Sequence, residues 1–100
     1  MSRDTAHRYV VAYDVADDGR RNRIAIRLLT YGDRLQYSVF VIDGRPSKLV
    51  RLRLELSRMI DLQADSVLIC DLGPATSDDD ARFQMIGRRR SITDGRALAL

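Results

Sequence analysis

Apolar and polar positions alternate from Arg8 to Val15, with Tyr9, Val11, Tyr13 and Val15 on one side and Val10, Ala12 and Asp14 on the other. A period of two marks a strand, and apolar residues on both sides up to Asp14 predict a central strand covered on both faces. Asp14 shares its side with Val10 and Ala12, so its carboxylate is expected to point at a covered surface. There it needs an arginine, backbone donors or a metal. Asp17-Asp18-Gly19 combines turn chemistry with a helix start, and either aspartate can accept a backbone N–H as a cap, a simpler role for both than metal binding. The period then changes to that of a helix, from about Arg20 to Tyr31. Ile24, Ala25, Leu28 and Leu29 form its apolar stripe, and Gly32 ends it. Arg20, Arg23 and Arg27 make a basic ridge beside the stripe, with Arg21 near the helix start.

Strict alternation returns over Arg34–Asp43, which reads as one second strand. Gly44-Arg45-Pro46 breaks it. A second helix over about Ser47–Ile60 carries Leu49, Leu52, Leu56 and Met59 on one face, with an Arg51–Glu55 pair expected on the outer face. Asp65–Leu72 reads as a third strand, residues 75–82 as a polar loop around Asp78-Asp79-Asp80, and Phe83–Gly87 as a short fourth strand. Residues 1–7 form a loose lead-in. Residues 88–100 form a tail whose apolar end, Ala97–Leu100, is expected to dock on a second copy. All 100 residues are expected to make a single domain. As read, the order is β-α-β-α-β-β, one strand short of the β-α-β-β-α-β order of a ferredoxin-like domain. Spacing leaves both arrangements open. Common to them is an α+β sandwich with two helices on one face of a sheet.

Composition narrows the chemistry. Sixteen of the seventeen basic residues are arginine, whose planar fork matches phosphate and carboxylate. Cys70 is the single cysteine, which excludes an intramolecular disulfide; within Val67–Cys70 it reads as a buried thiol acting as a small hydrophobe. His7 is the single histidine and reads as a surface residue, since a metal ligand would want a second one nearby. No apolar stretch approaches the roughly 20 residues of a membrane span, and the first residues are polar, so a cytoplasmic protein without a membrane partner is expected.

The stretch YDVADDGRRNR, followed about twenty residues on by RLQYSVFV and by a closing apolar-Gly-basic segment, resembles the Cas2 family of CRISPR-associated proteins. The resemblance runs from about Arg8 to Gly87. It implies a ferredoxin-like homodimer with an antiparallel sheet, in which the last strand commonly pairs with the partner's sheet. It also implies that the first-strand aspartates of two chains share a divalent cation, usually Mg2+. Carried over by motif, Asp14 is the catalytic and metal-binding acid and Tyr13 its neighbour. Arg21 and Arg23 match the helix-start arginines, Arg34 the arginine opening the second strand, and Phe40 the aromatic within it. Tyr13, Arg21, Arg23, Arg34 and Phe40 are thereby expected to contact nucleic acid. Many members place an acidic or polar residue soon after that aromatic; here Val41 and Ile42 follow.

Two activities come with the resemblance. One is metal-dependent cleavage of phosphodiesters in single-stranded RNA or duplex DNA. The other is the bridge of the spacer-integration complex in antiviral defence, where the dimer joins an integrase subunit and holds duplex DNA. Arginine contacts to phosphate serve both, because they position without reading sequence. A single acid per chain is thin for a nuclease, which favours integration as the biological role. The competing readings are a non-catalytic nucleic-acid scaffold and a small regulatory ferredoxin-like domain.

Overall fold

A computed structural model of the chain describes residues 5–75 and 82–88. The elements follow the order β1 (His7–Asp14), α1 (Asp18–Leu29), β2 (Asp33–Gln36), β3 (Val39–Gly44), α2 (Pro46–Met59) and β4 (Ser66–Pro74). This is the β-α-β-β-α-β order. The strands form one antiparallel sheet, β2-β3-β1-β4, with β1 at its centre between β3 and β4.

The extra strand comes from Arg34–Asp43, which is two strands and not one. The chain turns at Tyr37-Ser38, and Gln36 comes to pair with Val39 across an irregular register. Apolar alternation runs straight through this turn, with no Gly, Pro, Asn or Asp to mark it. Phe83–Gly87, expected as a strand, makes none within the chain. The acidic triplet Asp78–Asp80 and the tail from residue 89 lie outside the described residues.

Tyr9, Val11 and Tyr13 of β1 meet Phe40 and Ile42 of β3 on one face of the sheet. There they pack with Ile24, Ala25 and Leu28 of α1 and with Leu49, Leu52 and Leu56 of α2. Both helices therefore lie on that face. β1 is central in the sheet, yet it is covered within the chain on one face and not on two. Val10 and Ala12 are half-buried on the other face and Asp14 is exposed there. Leu68 and Cys70 of β4 stand beside Ala12 and Val10 on this open face, both exposed. Cys70 is thus not a core thiol.

Both helices start as the sequence indicates. Asp17 is the N-cap of α1 and accepts from the Arg20 N–H at 2.8 Å, while Asp18 occupies the first turn. Pro46 opens α2, where a missing N–H costs nothing. Gly32 acts differently from a left-handed helix stop, because its φ is not positive. Its need is space: a Cβ there would collide with the Val41 carbonyl and the Ile42 side chain, so glycine lets the chain leaving α1 press against β3. Glu55 reaches across to Arg27 of α1 at 3.5 Å and ties the two helices together.

Candidate nucleic-acid interface and metal-binding rim

β1 delivers Asp14 to the rim of the sheet. Ser66 stands opposite it on β4. On the other side, the Tyr13 N–H donates to the Ser38 carbonyl at 3.1 Å, so the β2–β3 turn lies beside the end of β1. Asp14 makes no hydrogen bond or ion pair within the described residues, and its side chain is exposed. Its two oxygens are therefore open to an outside cation. Among the described residues no three His, Cys, Asp or Glu side chains gather as a metal site. The hard oxygen donors of Asp14 suit magnesium, which takes few carboxylates and keeps several waters.

The backbone behind Asp14 is braced by a carboxylate that the sequence did not mark. The Asp65 side chain is fully buried. It accepts from Arg20 Nε at 2.6 Å and Arg20 Nη2 at 3.0 Å, and from the backbone N–H groups of Ala16 and Asp61, each at 2.9 Å. Every lone pair that burial would strand thus has a donor. The Arg20 fork, first among these, pulls the Asp65 carboxyl far below the usual carboxylate range, against burial that pushes it up; the Ala16 and Asp61 amides add to the pull. Arg20 in turn is held charged above its ordinary value, chiefly by this bond. The bridge joins the β1–α1 loop to the α2–β4 loop and fixes the path of the chain just past Asp14. An acid before an apolar run looks like any loop acid in sequence, and no local signal distinguishes Asp65.

The motif residues separate into three groups. Arg21 is turned inward: its Nε and Nη2 donate to the Val15 carbonyl at 3.1 and 2.9 Å, and its Nη1 meets Asp18 at 2.6 Å. Asp18 first, then the Tyr37 hydroxyl, raise its pKa above the ordinary arginine value. Arg21 braces the strand exit as Arg20 does. Tyr13 and Phe40 form the second group. Tyr13 is 7% exposed and Phe40 0%, and their rings stack at 6.2 Å in the core. Phe40 has no face left for a base, and Tyr13 reaches outward only through its hydroxyl, which donates to the Tyr37 carbonyl at 3.3 Å. Both are packing residues in this fold, because their side of the strand faces the helices.

Arg34 and Arg23 form the third group. The Arg34 guanidinium lies over Phe40 and Tyr37, 5.2 and 5.6 Å from the ring centroids, and its Nη2 donates to the Tyr37 carbonyl at 2.9 Å. Its Nε is shut from solvent and has no acceptor among the described residues. Arg23 is exposed on α1, one turn from Arg27. Asp14, Arg34 and the β2–β3 turn therefore share one rim, while Phe40 and Tyr13 lie beneath it.

This arrangement defines a small ferredoxin-like α+β protein whose central strand ends in an exposed acid beside bracing arginines. The family model for the CRISPR-associated protein Cas2 matches residues 7–79, and the chain belongs to that family. It is 33% identical over 94 residues to CRISPR-associated endoribonuclease Cas2 1 of Rhodospirillum rubrum, covering 94% of this chain and 91% of the relative. It is 43% identical over 61 residues to CRISPR-associated endonuclease Cas2 2 of Thermus thermophilus, covering 61% and 68%. The crystal structure of Streptococcus pyogenes Cas2 at pH 6.5 superposes with a TM-score of 0.71 at 28% identity, covering 80% of this chain and 99% of the other. No helix among the described residues is long and apolar enough to cross a membrane.

Proposed function

We propose that the chain is a CRISPR adaptation protein that works as a homodimer, binding duplex DNA and bridging integrase subunits during spacer integration. A second activity, magnesium-dependent cleavage of phosphodiesters in single-stranded RNA or duplex DNA, is assigned to the same rim. The carrying observation is Asp14, an exposed carboxylate without a partner among the described residues, on the sheet face that the helices leave open. Val10, Ala12, Leu68 and Cys70 on that face offer an apolar surface to a second copy. Family membership and the endonuclease and endoribonuclease names of the relatives support the same reading.

In this reading Asp14 of each of two chains would hold magnesium, which when bound would supply polarisation of the scissile phosphate and a water of lowered pKa. This chain's own residues do the rest. The Arg20–Asp65 bridge and the Arg21–Val15 bonds keep the Asp14 backbone in place, so the carboxylate needs little reorganisation. Arg23, exposed beside the helix start, takes a backbone phosphate, and Arg34 backs the rim with fixed positive charge.

Asp14→Asn, compared with the unsubstituted protein in a magnesium-dependent cleavage assay and in a spacer-integration assay, tests this assignment. Cleavage lost with integration kept makes the bridge the essential role. Equal cleavage by both proteins sinks the Asp14 mechanism. A small regulatory domain, the remaining alternative, would not give a steep fall of duplex binding with salt.

A further inference from the structure

One aromatic side chain near the rim lies outside the motif assignments. Six aromatic residues occur in the chain. Tyr9, Tyr13 and Phe40 are buried, and Tyr31 and Phe83 are partly covered. Tyr37, in the β2–β3 turn, is 64% exposed and is the one exposed aromatic among the described residues. A single exposed apolar side chain is ordinary on a protein surface. Tyr37 differs in how it is held and where it stands.

Its carbonyl accepts from Arg34 Nη2 and from the Tyr13 hydroxyl, so the turn is pinned from two sides. The Arg34 guanidinium, backed by the buried Phe40, lies over the ring. One face of Tyr37 is thereby occupied by a cation fixed in the fold, and its exposure lies on the rest of the ring. β1 and β3 pair in the register His7↔Gly44 to Ala12↔Val39. Beyond that register the Tyr13 N–H donates to the Ser38 carbonyl at 3.1 Å, so the turn that carries Tyr37 lies beside the end of β1, where Asp14 follows Tyr13. A pinned, cation-backed ring thus flanks the same rim as the exposed carboxylate.

We propose that Tyr37 is a stacking platform for an unpaired nucleobase, engaging a single-stranded segment whose backbone passes the Asp14 rim. Every base has a π-face, so such a platform is tolerant of sequence, and pre-ordering of the ring by Arg34 lowers the entropy lost on binding. The role that motif matching gave to Phe40 passes to Tyr37, with Phe40 and Arg34 beneath it as positioning residues. The proposal rests on the nucleic-acid reading above and adds a preference for unpaired over paired bases at this point.

The test uses the full chain with a short oligonucleotide carrying 2-aminopurine, offered single-stranded and as a duplex, and compares Tyr37→Phe, Tyr37→Leu and Tyr37→Ala. The expected result is single-strand affinity roughly 5- to 100-fold weaker for the Leu and Ala variants, with loss of 2-aminopurine quenching. Tyr37→Phe retains both, and duplex affinity stays within about twofold throughout, as sequence-independent phosphate contacts require. Tyr37→Leu keeps apolar bulk, so its loss separates stacking from simple packing. Unchanged single-strand affinity and quenching in Tyr37→Leu would overturn the platform while leaving the nucleic-acid reading intact. An unsubstituted chain that binds neither strand form would overturn both.

Discussion

The two faces of the sheet are written in alternate letters of the same strands and have opposite fates. On one, Tyr9, Val11, Tyr13, Phe40 and Ile42 are sealed beneath two helices. On the other, Val10, Ala12, Leu68 and Cys70 are left partly or wholly open, with Arg8 and Asp43 joined by a bidentate pair at one end and Asp14 alone at the other. The sealed face is where substitutions should damage the fold. The open face and its rim are where they should damage association and binding while the fold survives. Motif matching draws from both faces without distinguishing them, and burial sorts its residues.

The strongest way to break that division is Phe40→Ala. Emptying this fully buried site should lower unfolding free energy by roughly 3–5 kcal/mol, read by denaturant titration. If instead the variant kept its stability and lost nucleic-acid affinity, Phe40 would belong to the interface after all. Asp65→Ala comes next. It leaves Arg20 and the Ala16 and Asp61 amides without an acceptor, and should lower the thermal midpoint by roughly 10 °C. The same carboxylate sets an acid dependence. Its folded pKa is depressed, so its stabilisation is fully present above the unfolded carboxylate pKa of about 4 and is lost as pH falls below it. Thermal melts of Asp65→Asn should accordingly lose less on acidification than those of the unsubstituted protein.

Effects on the open side should be smaller in stability and larger in assembly. Leu68→Asp, at a residue 64% exposed on β4, should shift unfolding by no more than about 0.5 kcal/mol. Sedimentation should nonetheless show dissociation of the proposed dimer, and an unchanged mass would place the interface elsewhere. The mildest change is Arg23→Ala, expected to leave the fold untouched, to weaken binding evenly across sequences and to lower the salt slope by about one. A loss confined to particular sequences would reassign Arg23 from phosphate to base.

Much of this fold could be read from periodicity, and the parts that could not have physical reasons. The core stripes of both helices and the buried side of β1 follow from spacing alone, since burial imposes it. The break at Tyr37-Ser38 left no mark, because an exposed turn can be closed by bonds from Arg34 and Tyr13 without glycine or proline. A ten-residue run is nevertheless long for one strand, and that length was a usable hint. The open face of β1 misled for a different reason: Val10 and Ala12 look the same whether helices of one chain or a second copy is to cover them. Asp14 was legible as the acid of interest. Asp65 was not, since what defines it comes from residues up to 49 positions away.

That sequence distance bears on the order in which the protein can be made. β1 is synthesised first and α1 directly after it, but its outer neighbour β4 and the Asp65 bridge come from a much later part of the chain. Contacts of such long span form after local ones, because the intervening chain must close first. During translation the carboxylate of Asp14 therefore emerges early and is fixed late, once Asp65 has left the ribosome and locked Arg20. A chain interrupted before that point carries the whole YDVADDGRR motif and still lacks the rim.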